Sequence, residues 1–346
     1  MQVRIKPTKA NKSQQIIILK FPLPLIALIS VTLLMSGFAL PCFSGSAYIT
    51  NQGDNTVSVI DTDSNRIIET VKVGLAPVGV VVSAINQRAY ISNVDGQSIS
   101  VIDTIKNQLV NTYPIKGSPV GLLLSPNNKT LYVADWTEDV IYQIDAITMK
   151  IQSKIKNGKA PAGMAISPDG KRLYVANRDS DDVSIIDTNT QQISQRISVG
   201  KHPFGLAINR SGSELYVVNV MSNNVSVLNT TNLKIQTIKV GEHPYCITPS
   251  KNGQLLFVTN TQDDSVSVID LAQKQSIATI KVGEVPEGIS MEDKTGNIYI
   301  ANWGSNQVSV LDSQTLKILT QIKTGDKSRA FGKFILESPS NKTILN

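Results

Sequence analysis

Leu173-Tyr174-Val175-Ala176-Asn177 is one of seven copies of a single five-residue pattern in this chain. Ala47-Tyr48-Ile49-Thr50-Asn51, Ala89-Tyr90-Ile91-Ser92-Asn93 and Leu131-Tyr132-Val133-Ala134-Asp135 precede it. Leu215-Tyr216-Val217-Val218-Asn219, Leu256-Phe257-Val258-Thr259-Asn260 and Ile298-Tyr299-Ile300-Ala301-Asn302 follow. Successive copies start 42, 42, 42, 42, 41 and 42 residues apart. A length of 346 residues would by itself suggest two domains, but so even a stride marks one cooperative array of repeats.

Residues 161–200 show what is repeated. Pro161-Ala162-Gly163-Met164-Ala165-Ile166-Ser167 is a short apolar run, and Pro168-Asp169-Gly170 is turn chemistry. Leu173 to Asn177 is a second run, and Asn177 to Asp181 a polar loop. Val183-Ser184-Ile185-Ile186-Asp187 is a third strand, and Gln192 to Val199 a fourth, more polar one that ends at Gly200. A lone four-stranded sheet cannot bury both faces, so each unit must stack on its neighbours. Four strands in about 42 residues is the arithmetic of a propeller blade; leucine-rich units are shorter, and no helical stripe is present.

The reading is therefore an all-β, seven-bladed β-propeller over residues 47–336, with four antiparallel strands per blade. The first unit lacks the Pro-x-Gly strand, because Ala47 follows directly on the N-terminal segment. Lys327 to Leu336 resembles the missing strand, with Ala330-Phe331-Gly332 in place of Pro-x-Gly, so the C-terminal strand is expected to close the first blade. Residues 337–346 are expected to form a tail.

Residues 1–46 have a different character. Arg4, Lys6, Lys9, Lys12 and Lys20 precede Phe21–Leu40, an uncharged run rich in Leu, Ile and Val. This is the pattern of a signal peptide or an N-terminal membrane anchor. Pro22 and Pro24 shorten the helical part and favour a signal, with cleavage expected after Ser44 or Ser46. The repeats are expected to be exported, to be periplasmic, cell-surface or secreted, and to meet a membrane only through this segment. Without those five charges the formal charge falls from +6 to +1, which is no footprint for a nucleic acid. The two cysteines, Cys42 and Cys246, make no disulfide framework.

The chain resembles the YVTN family of β-propeller repeat proteins over about residues 47–336. The resemblance rests on the seven Tyr/Phe-Val/Ile-x-Asn/Asp segments, on Val-Ser-Val-Ile-Asp at 57–61 and 266–270, and on Val-Gly-x-x-Pro-x-Gly at 73–79, 199–205 and 282–288. It implies an exported seven-bladed propeller. Related propellers include lactonases and cofactor-bearing oxidoreductase subunits.

In a propeller, the loops between blades and the loops after each second strand share one face around the mouth of the channel. Both histidines, His202 and His243, occupy one slot in adjacent inter-blade loops, and both tryptophans, Trp136 and Trp303, occupy one slot in the other loop set. With Arg178, Phe204, Tyr245 and Glu287 they make a candidate ligand-binding set at the mouth, against a competing reading of ordinary loop packing. Of the residues after Pro, the closing strand is expected to contribute Phe331. Asp181-Asp182 and Asp263-Asp264 read as turn residues rather than acid/base pairs. The His pair lacks an evident third metal ligand, and no haem C-x-x-C-H, nucleophile elbow or phosphate loop occurs.

On these grounds no cofactor and no catalytic residue are assigned. The expectation is a monomeric, non-enzymatic scaffold that binds a protein, glycan or small ligand at the mouth. The alternative is a lactonase-like hydrolase on the same face, using His202, His243, Arg178 and Glu287.

Overall fold

The computed structural model describes residues 45–337. The N-terminal segment up to residue 44 and the tail from 338 onward lie outside the described residues, and with them the expected signal or anchor and its cleavage after Ser44. No helix among the described residues is long and apolar enough to cross a membrane.

Seven four-stranded antiparallel sheets form the blades of a β-propeller. Blade 4 runs outward through Pro161–Ile166, Arg172–Asn177, Asp182–Asp187 and Gln192–Ser198. The first strands of consecutive blades adjoin and ring the central channel. The burial follows: second and third strands are packed on both faces, and the outermost strand is largely exposed.

Each element of the repeat has a packing reason. The Asn that ends the second strand is fully buried in six blades, and Asp135 replaces it in the other. Its amide ties the second strand to the third: Asn177 Nδ2 donates to Ser184 Oγ at 2.8 Å, and Asn219 Nδ2 to Ser226 Oγ at 2.9 Å. The incoming loop passes directly over this amide, so the Gly that opens the loop leaves no room for a side chain. A Cβ on Gly200 would stand 2.6 Å from Asn219 Cγ, and one on Gly158 2.4 Å from Asn177 Cγ. We expect Gly200→Val to cost about 3 kcal/mol, from overpacking together with loss of the amide's bonds. Urea unfolding measures this, and an unchanged midpoint would contradict the steric account.

In blades 1, 2 and 7 the Tyr of the second strand ties its blade to the next. Tyr48 Oη donates to Asn107 Oδ1 at 2.7 Å, Tyr90 Oη to the Ala146 carbonyl at 2.7 Å, and Tyr299 Oη to Asn65 Oδ1 at 2.7 Å. Burial pushes the Tyr48 and Tyr299 phenols well above their ordinary range, which keeps them protonated as donors. The Asp that ends the third strand builds the outer turn. Asp187 Oδ1 accepts the N–H of Thr190 and of Asn189, each at 2.9 Å, and the Thr190 bond leads in lowering its pKa.

The ring closes between the two ends of the domain. Ile335–Leu336 pairs antiparallel with Ser46–Asn51, with Ala47 opposite Ile335. The Tyr48 N–H donates to the Phe334 carbonyl at 2.9 Å, and the Val80 N–H of blade 2 to the Phe331 carbonyl at 2.8 Å. The register differs from the one expected. Ser328 lies opposite Asn51, as Pro161 lies opposite Asn177 and Pro203 opposite Asn219. Ser328-Arg329-Ala330 therefore replaces Pro-x-Gly, and Arg329 rather than Phe331 follows the proline position. The reason is loop length: Gly325 precedes Ser328 by the same three residues that separate Gly200 from Pro203.

Candidate functional site

The two histidines share their slot because of the backbone. Ala76, Ala160, His202, His243, Val285 and Lys327 are equivalent, and all take left-handed φ between 49° and 56°. Each N–H of this slot is held by a side chain of the preceding blade. Asp181 Oδ1 accepts from His202 at 2.9 Å, Asn223 Oδ1 from His243 at 3.0 Å, and Asp264 Oδ1 from Val285 at 2.9 Å. Asp181 and Asp264 are thus clamps between blades. The His202 carbonyl accepts the Val220 N–H at 3.1 Å, and the His243 carbonyl the Thr261 N–H at 3.0 Å. His243 Nδ1 is buried without a partner, and no hydrogen bond joins either imidazole to the polar cluster described next.

The residues after the proline position differ around the ring. Val78, Val120 and Ala162 are small; Phe204, Tyr245, Glu287 and Arg329 are large and bring aromatic and charged groups to one side of the channel. Arg329 is the hub. Its Nε donates to Glu287 Oε2 in a short contact, its Nη2 to Tyr245 Oη at 3.1 Å and its Nη1 to Gln52 Oε1 at 3.3 Å. Trp303 Nε1 donates to the same Gln52 oxygen at 3.1 Å. The Glu287 and Arg329 side chains retain 13% and 17% exposure, so the pair is largely desolvated yet open to the mouth.

Aromatic rings continue the cluster. Phe204 stacks on Tyr245 at 4.0 Å between centroids, Phe331 lies 4.8 Å from Phe204, and Trp136 meets Phe204 edge-on at 6.0 Å. The Arg178 guanidinium stands 5.8 Å over the Trp136 ring and pairs with Asp179 at the surface. Of the eight residues selected from sequence, Trp136, Arg178, Phe204, Tyr245, Glu287 and Trp303 thus belong to one connected set. His202 and His243 serve the loop backbone beside it. Arg329, the centre of the set, was hidden by the misread register. Counting four residues on from Gly325, as from Gly200 to Phe204, would have found it.

The electrostatics suit acid/base work. Burial pushes the Glu287 carboxyl above the ordinary carboxylate range, and the Arg329 charge pulls it part of the way back. Burial opposes the charge on Arg329, but Glu287 and then Tyr245 outweigh it and hold the guanidinium protonated. Burial also raises the Tyr245 phenol, leaving it a neutral donor. A carboxylate with a raised pKa beside a fixed cation and a phenol can take a proton from water and stabilise an oxyanion.

Comparison with known proteins adds a family and a set of folds. The family described as "Lactonase, 7-bladed beta-propeller" matches residues 80–194 and 143–234. No curated protein matches the chain. Among solved structures, a hydrazine synthase of Kuenenia stuttgartiensis superposes with TM-score 0.71 at 20% identity, covering 78% of this chain and 92% of the other. A putative 6-phosphogluconolactonase of Bacteroides fragilis gives TM-score 0.71 at 15% identity, covering 83% and 97%. The dihydro-heme d1 dehydrogenase NirN, in complex with DHE, gives 0.65 at 12%, covering 82% and 74%. These likenesses show the fold. They correct the expectation of a non-enzymatic scaffold: the matching family is one of lactonases, and propellers of this shape include enzymes.

Proposed function

We propose that this chain is a lactonase-like hydrolase that opens cyclic esters at the channel mouth. The observation that carries this reading is the Glu287–Arg329–Tyr245 cluster, a desolvated carboxylate bonded to a cation and open to solvent on one side. The match to the lactonase family supports it. In the ionised form Glu287 takes a proton from water, and the resulting hydroxide attacks the lactone carbonyl. The carbonyl oxygen becomes an oxyanion facing the Arg329 Nη and Tyr245 Oη donors. When the intermediate collapses, the ring C–O bond breaks, the alkoxide takes the proton from Glu287, and a hydroxy acid leaves. Trp303 fixes Gln52, and Gln52 fixes Arg329, so the guanidinium is oriented before substrate arrives. The same reading treats the propeller as an exported YVTN-type protein, delivered by the segment before residue 47.

A pH-stat assay across aliphatic and sugar lactones tests the activity. Acid release proportional to enzyme is expected for at least one ring size. If every lactone is inert while the protein is folded, the hydrolase reading fails.

A further inference from the structure

The channel has a second end. First strands run away from the mouth, and beyond the Phe331 and Cys246 layer a cavity of about 500 Å³ opens where they finish. One of its walls follows Gly205 to Ile208, a length of roughly 10 Å at the rise of an extended strand. Leu122, Met164, Leu206, Ile247 and Ile289 are among the apolar side chains that line it.

A neighbouring cavity of about 430 Å³ lies under the turns of blades 5 and 6. The two adjoin, with Ile208, Pro249, Met291 and Asp293 lining both. The second carries Arg210 and Lys251, both exposed and, among the described residues, in no ion pair. Lys333 lies on the channel side, Asp293 lines both spaces, and Glu337 accepts the Asp293 N–H at 2.9 Å. A shaft lined mainly by aliphatic side chains, about as long as a medium acyl tail, leads to a rim with three cations and the carboxylates of Asp293 and Glu337.

We propose that this end of the channel binds a free medium-chain carboxylate, with its tail in the shaft and its headgroup on Arg210 and Lys251. Apolar walls fix the tail without directional bonds, and the unpaired cations select an anionic head. The site lies beyond the aromatic layer from Glu287, so binding here does not require the hydrolase reading.

Isothermal titration with decanoate and dodecanoate, below their micelle concentrations, tests this on the purified protein. Saturable binding of one molecule per chain is expected. Affinity should fall at least tenfold in Arg210→Glu/Lys251→Glu, two exposed positions whose change leaves the fold alone. Met291→Trp, which fills the neck, should abolish binding without lowering the unfolding midpoint. Three results would overturn the proposal: no saturable binding, equal binding by both variants, or binding only to phosphatidylglycerol vesicles. Equally tight binding of acetate would also overturn it, by showing an anion site that needs no tail.

Discussion

Glu287→Gln should lower kcat/KM for lactone hydrolysis by roughly two to four orders of magnitude while the protein stays folded. Glutamine keeps the shape of the side chain and still accepts from Arg329, but it cannot hold the proton of the attacking water. Arg329→Met is the sharper test, because it should act on rate, pH profile and stability together. Its loss removes an oxyanion donor and leaves the Glu287 carboxylate buried beside Tyr245 without a counter-charge. Removing one partner of such a pair costs about 3–5 kcal/mol.

The pH profile separates the two roles. Glu287 acts as a base only when ionised, so kcat/KM should rise with pH through its pKa. Burial places that inflection above the ordinary glutamate value, and Arg329 restrains it. In Arg329→Met the restraint is gone, and the inflection should move to higher pH. Stability follows the opposite sign. The folded state holds the Glu287 proton more tightly than the unfolded chain, so this group's contribution to stability falls as pH rises through the raised pKa. His202→Ala and His243→Ala should leave the profile in place, since their backbone groups make the observed bonds. A Glu287→Gln enzyme with half the wild-type rate would rule out the assignment, as would a His→Ala variant that moves the inflection.

Much of this molecule was legible because the repeat reports on packing. Seven evenly spaced Asn or Asp residues at strand ends, each with a loop Gly packed against it, encode one buried polar side chain and the space above it. No comparable regularity marks a site, since a functional group is by nature a departure from the repeat. Glu287 and Arg329 stand where other blades have Val78, Val120 or Ala162. Glu287 could be selected as such a departure. Arg329 could not, because Ser328 stands in place of proline and the nearby Ala330-Phe331-Gly332 imitates the motif. The histidine pair stands in a slot set by the backbone, a left-handed position that Ala76, Val285 and Lys327 also occupy. The cavity at the far end was invisible in sequence, because its walls are ordinary residues of first strands from several blades.

Phe334→Ala should destabilise the domain by about 3–5 kcal/mol, the usual cost of emptying a fully buried aromatic site. The effect should exceed that of Leu319→Ala on the outermost strand of blade 7, where the side chain is 52% exposed. Phe334 belongs to one buried cluster with Tyr48, Ile49, Val80 and Tyr299, which spans blade 1 and both its neighbours. Its carbonyl also takes the Tyr48 N–H. Deleting residues 328–337 goes further: it bares the inner edges of blade 1 and blade 2 and removes the Arg329 hub of the polar cluster. Such an edge is a template for pairing with other chains, so the deletion should aggregate rather than persist as a six-and-three-quarter-blade monomer. Urea unfolding of Phe334→Ala and light scattering of the deletion measure the two effects. A deletion that stays monomeric with the wild-type midpoint would mean that closure contributes nothing to the stability of the ring. The mouth would then owe its geometry to the blades alone, and Arg329 would be held by Glu287 rather than by the strand that carries it.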